Sequence, residues 1–213
     1  AEFLINKYLK PGKNVLSLKI FRWSTGSYLE CQDFWRVSGI ERDVYLWSQP
    51  KTAIQDFRVI STLDDTYKTG IFKLAIDLKN HEEKAKNLTI SYELLDKSGK
   101  AIATESKNLW VSPAVNSTAS FETSIPDVAT WTAEIPNLHK MVMTIKDGDK
   151  TVEVVPYHVG FRRFEMKQTK ELAGNGKPYT VFLVNGQPVK FKGVNIHEHN
   201  PETGHYVPVE LMR

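Results

Sequence analysis

Between residues 51 and 162 the chain alternates apolar and polar positions in short runs, the period of a strand with one buried and one wet face. Phe72, Leu74, Ile76 and Leu78 alternate with Lys73, Ala75 and Asp77, and Leu88, Ile90, Tyr92 and Leu94 repeat the pattern. Counting 54–63, 71–78, 88–95, 100–108, 117–123, 138–146 and 151–158 gives seven predicted strands, the number of an immunoglobulin-like β-sandwich. Turn signals separate them. Ser98-Gly99 lies between two runs, and Asp147-Gly148 is a strong hairpin signal. Pro113, Pro126 and Pro136 interrupt possible ladders and mark loops or edges.

The flanks read differently. Residues 1–50 hold strand-like runs at 14–21 and 42–47, separated by a Gly- and Ser-bearing loop and closed by Gln49-Pro50. Residues 34–40 have no clean period and read as loop. The tail predicts a hairpin of 179–184 and 189–195 joined through Asn185-Gly186. No helix is predicted, since 127–133 is short and mixed. The chain therefore reads as all-β, with units at 1–50, 51–162 and 163–213.

Composition narrows the function classes. At 213 residues the chain exceeds a single typical domain of about 100–200 residues. Lysine plus arginine number 28 against 25 acidic residues, a net charge of +3, too small an imbalance to imply nucleic acid or a membrane surface as partner. No apolar run approaches the ~20 residues needed to span a bilayer. The single cysteine, Cys31, excludes an intrachain disulfide framework and leaves a bacterial periplasm and cytoplasm equally open. No signal peptide is visible, though an internal fragment would have lost one.

The sharpest chemical feature is Gly193-Val194-Asn195-Ile196-His197-Glu198-His199-Asn200-Pro201. In an extended segment His197 and His199 project to one face and Glu198 to the other, as in a polar pocket at a strand end. A surface His-x-His pair in a charged loop is the plain alternative. Structural zinc needs about four ligands, which one cysteine and scattered histidines do not supply. The helical zinc-protease pattern needs histidines four apart, and these are two apart.

This segment resembles the β-galactosidases of glycoside hydrolase family 2, in which G-V-N-x-H-E-H-x-P begins the catalytic barrel. Two earlier stretches resemble the same family in the same order. The first runs from Arg22-Trp23-Ser24-Thr25-Gly26-Ser27 through Cys31-Gln32-Asp33-Phe34-Trp35-Arg36 to Asp43-Val44; the second is Trp131-Thr132-Ala133-Glu134-Ile135-Pro136, followed by Gly160-Phe161-Arg162. The resemblance implies that 1–50 closes a sugar-binding jelly roll, 51–162 is the immunoglobulin-like sandwich, and 163–213 opens a (β/α)8 TIM barrel.

It also implies a site. Asp33 would touch the sugar and a bound sodium ion, an oxygen donor for a hard cation. His197 would contact the galactosyl group, with Asn195, Glu198 and His199 as further substrate-binding residues. The chain departs from the family at Ile196, where arginine is usual, and at Cys31, where an acidic residue is usual. The family's two catalytic glutamates, roughly 5–5.5 Å apart in retaining glycosidases, lie on later barrel strands. No catalytic residue is therefore expected here: Glu202 and Glu210 read as solvated, and Glu198 lacks a carboxylate partner.

The expectation is an internal fragment of a β-galactosidase, inactive alone, whose parent is a homo-oligomer acting on a β-galactoside with sodium and magnesium, neither held tightly by the fragment. A noncatalytic β-sandwich binding or spacer module and a related β-glucuronidase are the alternatives. Trp23, Trp35 and Trp47 either pack or stack on a sugar, with packing favoured. Arg36 and Arg42 are expected to hold the Asp33 loop, and Trp131 to plug a domain interface. Residues 1–50 are expected to fold only against the sandwich or a second chain.

Overall fold

An alternating run becomes a strand only where a neighbour completes its hydrogen-bond ladder. The computed structural model describes residues 2–30 and 35–212. It divides into two compact units, Trp47–Lys192 on one hand and Ala1–Leu46 with Gly193–Arg213 on the other.

In the first of these units all seven predicted runs form strands, with ends shifted by a few residues. They are β1 (Thr52–Leu63), β2 (Gly70–Asn80), β3 (Lys86–Leu95), β4 (Ala101–Val111), β5 (Asn116–Ile125), β6 (His139–Asp147) and β7 (Lys150–Val159). They pair antiparallel in two sheets, β1-β2-β5 and β4-β3-β6-β7. Alternation sets the register. Phe72, Leu74, Ile76 and Leu78 of β2, Leu88, Ile90, Tyr92 and Leu94 of β3, and Met141, Met143 and Ile145 of β6 are all buried in one core. Each such side chain contributes ~1.5–3 kcal/mol by leaving water. Tyr92 joins the two sheets, its ring 5.2 Å from both Phe72 and Phe121. Pro156 lies in β7, an edge strand, where a missing N–H is tolerated.

Two glycines in this unit leave room for aromatics. A Cβ at Gly70 would come within 2.8 Å of the Phe161 ring, and one at Gly160 within 3.1 Å of Trp131. This explains the Gly160-Phe161-Arg162 stretch: Phe161 is fully buried, and Trp131 seats on the glycine before it.

The same unit carries a third sheet, ordered β10-β9-β8: β8 (Phe164–Leu172), β9 (Pro178–Val184) and β10 (Gln187–Pro188). Strand β8 was not expected, because its positions are mostly exposed and carry little hydrophobic alternation. It pairs with β9 from Phe164↔Val184 onward. The expected strand at 189–195 does not form: after Pro188↔Leu183 one more bond, from the Val189 N–H to the Phe182 carbonyl at 3.0 Å, prolongs the ladder, and beyond it no strand pairing follows through residue 199 among the described residues.

The other unit also corrects the expectation. The runs 14–21 and 42–47 are not strands, since no neighbour among the described residues pairs with them, and Val15, Leu16 and Tyr45 stand exposed. The loop between them contains a short helix, α1 (Thr25–Glu30). Ser27 organises its start: its hydroxyl accepts the Ser24 N–H at 3.1 Å and donates to the Arg22 carbonyl at 3.3 Å. Such local serine bonds start helices without any hydrophobic period. Cys31 and Asp33 lie outside the described residues.

Candidate functional site

Residues 193–199 belong to no helix or strand, and the segment carrying Asn195, His197, Glu198 and His199 is exposed along its length. It ends in a turn built by the next residue. The Asn200 N–H donates to the Gly204 carbonyl at 2.8 Å, and the Gly204 N–H donates back to Asn200 at 2.9 Å. The Asn200 side-chain oxygen accepts the Glu202 and Thr203 N–H groups at 2.8 and 3.2 Å, so the asparagine closes the turn on its own backbone. Thr203 adds a hydroxyl bond to the Tyr206 carbonyl. Gly204 has φ +71°, and a Cβ there would approach the Glu41 carboxylate at 3.0 Å.

That close approach is one of several contacts that lay the stretch 35–42 along the stretch 199–206. The Trp35 and His199 rings lie 4.5 Å apart, centroid to centroid. The Glu41 carboxylate is 3.8 Å from His205 Nδ1, an ion pair when that imidazole is protonated. The Arg42 guanidinium sits over the Tyr206 ring at 5.0 Å, a cation–π contact worth about 0.5–1 kcal/mol in exposed settings. The two stretches are far apart in sequence and meet in parallel order.

Of the sequence-predicted site residues, the structure brings His199 against Trp35, two positions beyond Asp33 in the chain. His197, Asn195 and Glu198 share the exposed segment with His199. Asp33 itself lies outside the described residues. Trp35 packs on an imidazole, and the Arg42 guanidinium lies on an aromatic face, that of Tyr206. Glu41, His205 and Tyr206 were not anticipated. No periodicity or short motif links them, so only the fold could have paired them. Glu198, Glu202 and Glu210 are all exposed. Among the described residues no group of three or more His, Cys, Asp or Glu is arranged to hold a metal.

Comparison with known proteins gives a consistent picture. The family Glycosyl hydrolases family 2 matches residues 52–162, its sugar binding domain matches 1–50, and its TIM barrel domain matches 178–213. A beta-galactosidase of Streptococcus thermophilus is 40% identical over 217 residues, covering 100% of this chain and 19% of the relative. One from Priestia megaterium is 37% identical over 206 residues, covering 96% and 19%, and one from Kluyveromyces lactis is 33% identical over 228 residues, covering 100% and 20%. The chain thus spans about a fifth of the length of these curated relatives. Among solved structures, a β-glucuronidase of Bacteroides uniformis superposes with TM-score 0.72 at 19% identity, over 85% of this chain and 22% of that one. A putative beta-galactosidase from Bacteroides fragilis gives 0.66 at 19% identity, over 76% and 24%. At that identity the structural likeness speaks for fold alone.

Proposed function

This chain belongs to glycosyl hydrolases family 2, and from that membership we propose that it is part of a β-galactosidase releasing terminal β-linked galactose by a retaining mechanism. The observation that carries the reading is the sequence likeness to beta-galactosidases across the whole chain, 37% and 40% identical to those of P. megaterium and S. thermophilus. The β-glucuronidase alternative rests on structural neighbours at about half that identity, which carry the fold only. A noncatalytic sandwich module has no use for a segment that matches the opening of a TIM barrel.

Within that reading Asp33, Asn195, His197, Glu198 and His199 form the sugar-binding contribution of this chain. Support comes from the packing of Trp35 on His199, which joins the stretch just after Asp33 to the histidine segment. Such contacts accelerate hydrolysis only as far as they tighten in the transition state. The two catalytic glutamates belong to the rest of the enzyme; an exposed Glu198, Glu202 or Glu210 lacks the enclosed, paired setting that the retaining reaction uses. Sodium at Asp33, and magnesium elsewhere in the enzyme, remain part of the proposal, and no step is routed through either ion. A homo-oligomeric parent belongs to it as well.

The test compares release of chromophore from a β-galactoside and a β-glucuronide by the full-length enzyme containing this chain. Strong preference for the galactoside is the expected result, with no turnover by the 213-residue chain alone. Preference for the glucuronide would transfer the chain to the alternative activity. Reproducible turnover by the isolated chain would return the catalytic pair to its own carboxylates.

A further inference from the structure

The third sheet, which lies wholly within the unit Trp47–Lys192, uses its two faces in the reverse of the usual sense. A half-covered antiparallel sheet ordinarily turns its apolar face inward and its charged face to water. In β8, Glu165 and Lys167 point to one face and Phe164 and Met166 to the other.

The charged face is the one that is held against the sandwich. The Tyr67 hydroxyl, in the turn between β1 and β2, donates to Glu165 at 2.6 Å and accepts from Lys167 at 3.0 Å. Arg163 joins Glu165 at 3.0 Å to Asp65 of the same turn at 2.7 Å. The Glu165 side chain is only 11% exposed. At the other end of the hairpin the Asn185 amide nitrogen donates to the Trp131 carbonyl at 3.0 Å, and a Cβ on Gly186 would meet the Tyr67 ring at 2.7 Å. These contacts fix which face looks outward, since a slip of one residue would put Glu165 where Phe164 is.

The outward face is apolar. Phe164 pairs with Val184 and Met166 with Phe182, and residues directly opposite in an antiparallel pair share a face. Phe164 stacks on Phe182 with 5.8 Å between centroids, and Phe182 lies 5.1 Å from Phe191. Phe164, Met166 and Phe191 are nevertheless 52%, 73% and 78% exposed. Scattered exposed apolar residues need no explanation, but a contiguous face of stacked aromatics marks a surface that something covers.

The occupant is indicated by the family matches. The match to the TIM barrel domain covers 178–213 and so opens at Pro178, the first residue of β9. Phe182, Val184 and Phe191 thus belong to the barrel match itself, while Phe164 and Met166 precede it. The curated relatives carry most of their length outside the matched region, since this chain spans 19% of them.

We propose that the Phe164, Met166, Phe182 and Phe191 face of the third sheet is the surface on which the remainder of the (β/α)8 barrel docks in the full-length enzyme, the charged face of the same sheet being its anchor to the sandwich. This rests on the reading of the chain as part of a longer family 2 enzyme. It assigns β8 a role as the covering strand between two domains.

Methionine oxidation by hydrogen peroxide tests it, because sulfoxide forms where the thioether is accessible. Met166 is expected to oxidise about tenfold more slowly in the full-length enzyme than in the dilute 213-residue chain, while Met141 and Met143, fully buried in the sandwich core, stay unreactive in both. Equal rates at Met166 in the two proteins, or protection already present in the dilute 213-residue chain, overturn the proposal. Protection that disappears when the full-length enzyme is diluted to monomers assigns the face to a second copy and overturns it too. As a second measurement, Met166→Glu is expected to lower the half-inactivation temperature of the full-length enzyme by about 5 °C and to leave the urea midpoint of the 213-residue chain unchanged. No shift in the full-length enzyme overturns the docking. A full-length enzyme that protects Met166 yet does not hydrolyse β-galactosides overturns the galactosidase reading and leaves the docking surface standing.

Discussion

The Trp35 ring lies against the His199 ring, 4.5 Å between centroids and tilted by 45°. This contact joins the residue that follows the Asp33 stretch to the second histidine of the H-E-H run. An aromatic pair of this kind is worth about 0.5–1.5 kcal/mol beyond the area it buries. In the full-length enzyme, Trp35→Leu and His199→Ala are therefore expected to be sub-additive in kcat/KM, with a coupling of about 1 kcal/mol, or roughly fivefold. Strict additivity in the double-mutant cycle would mean that the rings do not act together.

Asp33 and His197 carry the direct sugar contacts in the proposed function. Replacing either by alanine in the full-length enzyme is expected to lower kcat/KM by more than tenfold, corresponding to at least ~1.4 kcal/mol of lost transition-state binding. Steady-state kinetics on a chromogenic β-galactoside checks this. Near-parental values for both variants would remove them from the site.

The sandwich was legible because every strand there carries two agreeing signals, a period of two and a turn residue at its end. Phe72, Leu74, Ile76 and Leu78 fix both the strand and its buried face. The same period at 14–21 says only that the chain is extended. Whether a ladder forms depends on a partner that alternation does not name. Residues 189–195 fail for that reason: past the bond from the Val189 N–H to the Phe182 carbonyl, no strand among the described residues continues the ladder. Helix α1 escaped notice because it begins on serine hydroxyl bonds rather than on an apolar stripe. At the site, the histidine motif was legible through resemblance, whereas Glu41–His205 and Arg42–Tyr206 join residues with no common pattern.

Asn80 offers a test of the sandwich itself. It is fully buried, and each polar atom of its side chain has partners: Oδ1 accepts from the Thr52 hydroxyl and the Glu82 N–H, both at 2.9 Å, while Nδ2 donates to the Lys84 and Val111 carbonyls at 2.8 and 3.3 Å. Removing one side chain leaves several buried groups unsatisfied. Asn80→Ala is expected to cost about 3 kcal/mol, whereas Thr52→Val, which removes a single bond, should cost about 1 kcal/mol. Urea unfolding of the 213-residue chain measures both, and equal costs would show that the Asn80 network is not the source.

His139 makes the fold sensitive to pH. It opens β6 opposite Val159, is 3% exposed, and stands edge-on to Phe161 at 5.3 Å. Its Nδ1 has no hydrogen-bond partner among the described residues. Burial pushes its pKa below the ordinary imidazole value, against a smaller opposing effect of a Val159 backbone bond. The unfolded chain then binds the proton more readily than the folded one, so protonation favours unfolding. Stability from this group is complete above about pH 6.5, the ordinary imidazole value, and is lost as pH falls through the lower folded value. His139→Leu removes the titration together with the unsatisfied nitrogen. Urea midpoints of the 213-residue chain at about pH 7.5 and about pH 5.5 should therefore differ less in His139→Leu than in the parent. The variant should lose less stability on acidification even if it is the less stable protein at neutral pH. An identical fall in both proteins would assign the pH dependence to other groups, of which Asp96 and Glu165, both held below their ordinary carboxyl values by hydrogen bonds, act in the same direction at lower pH.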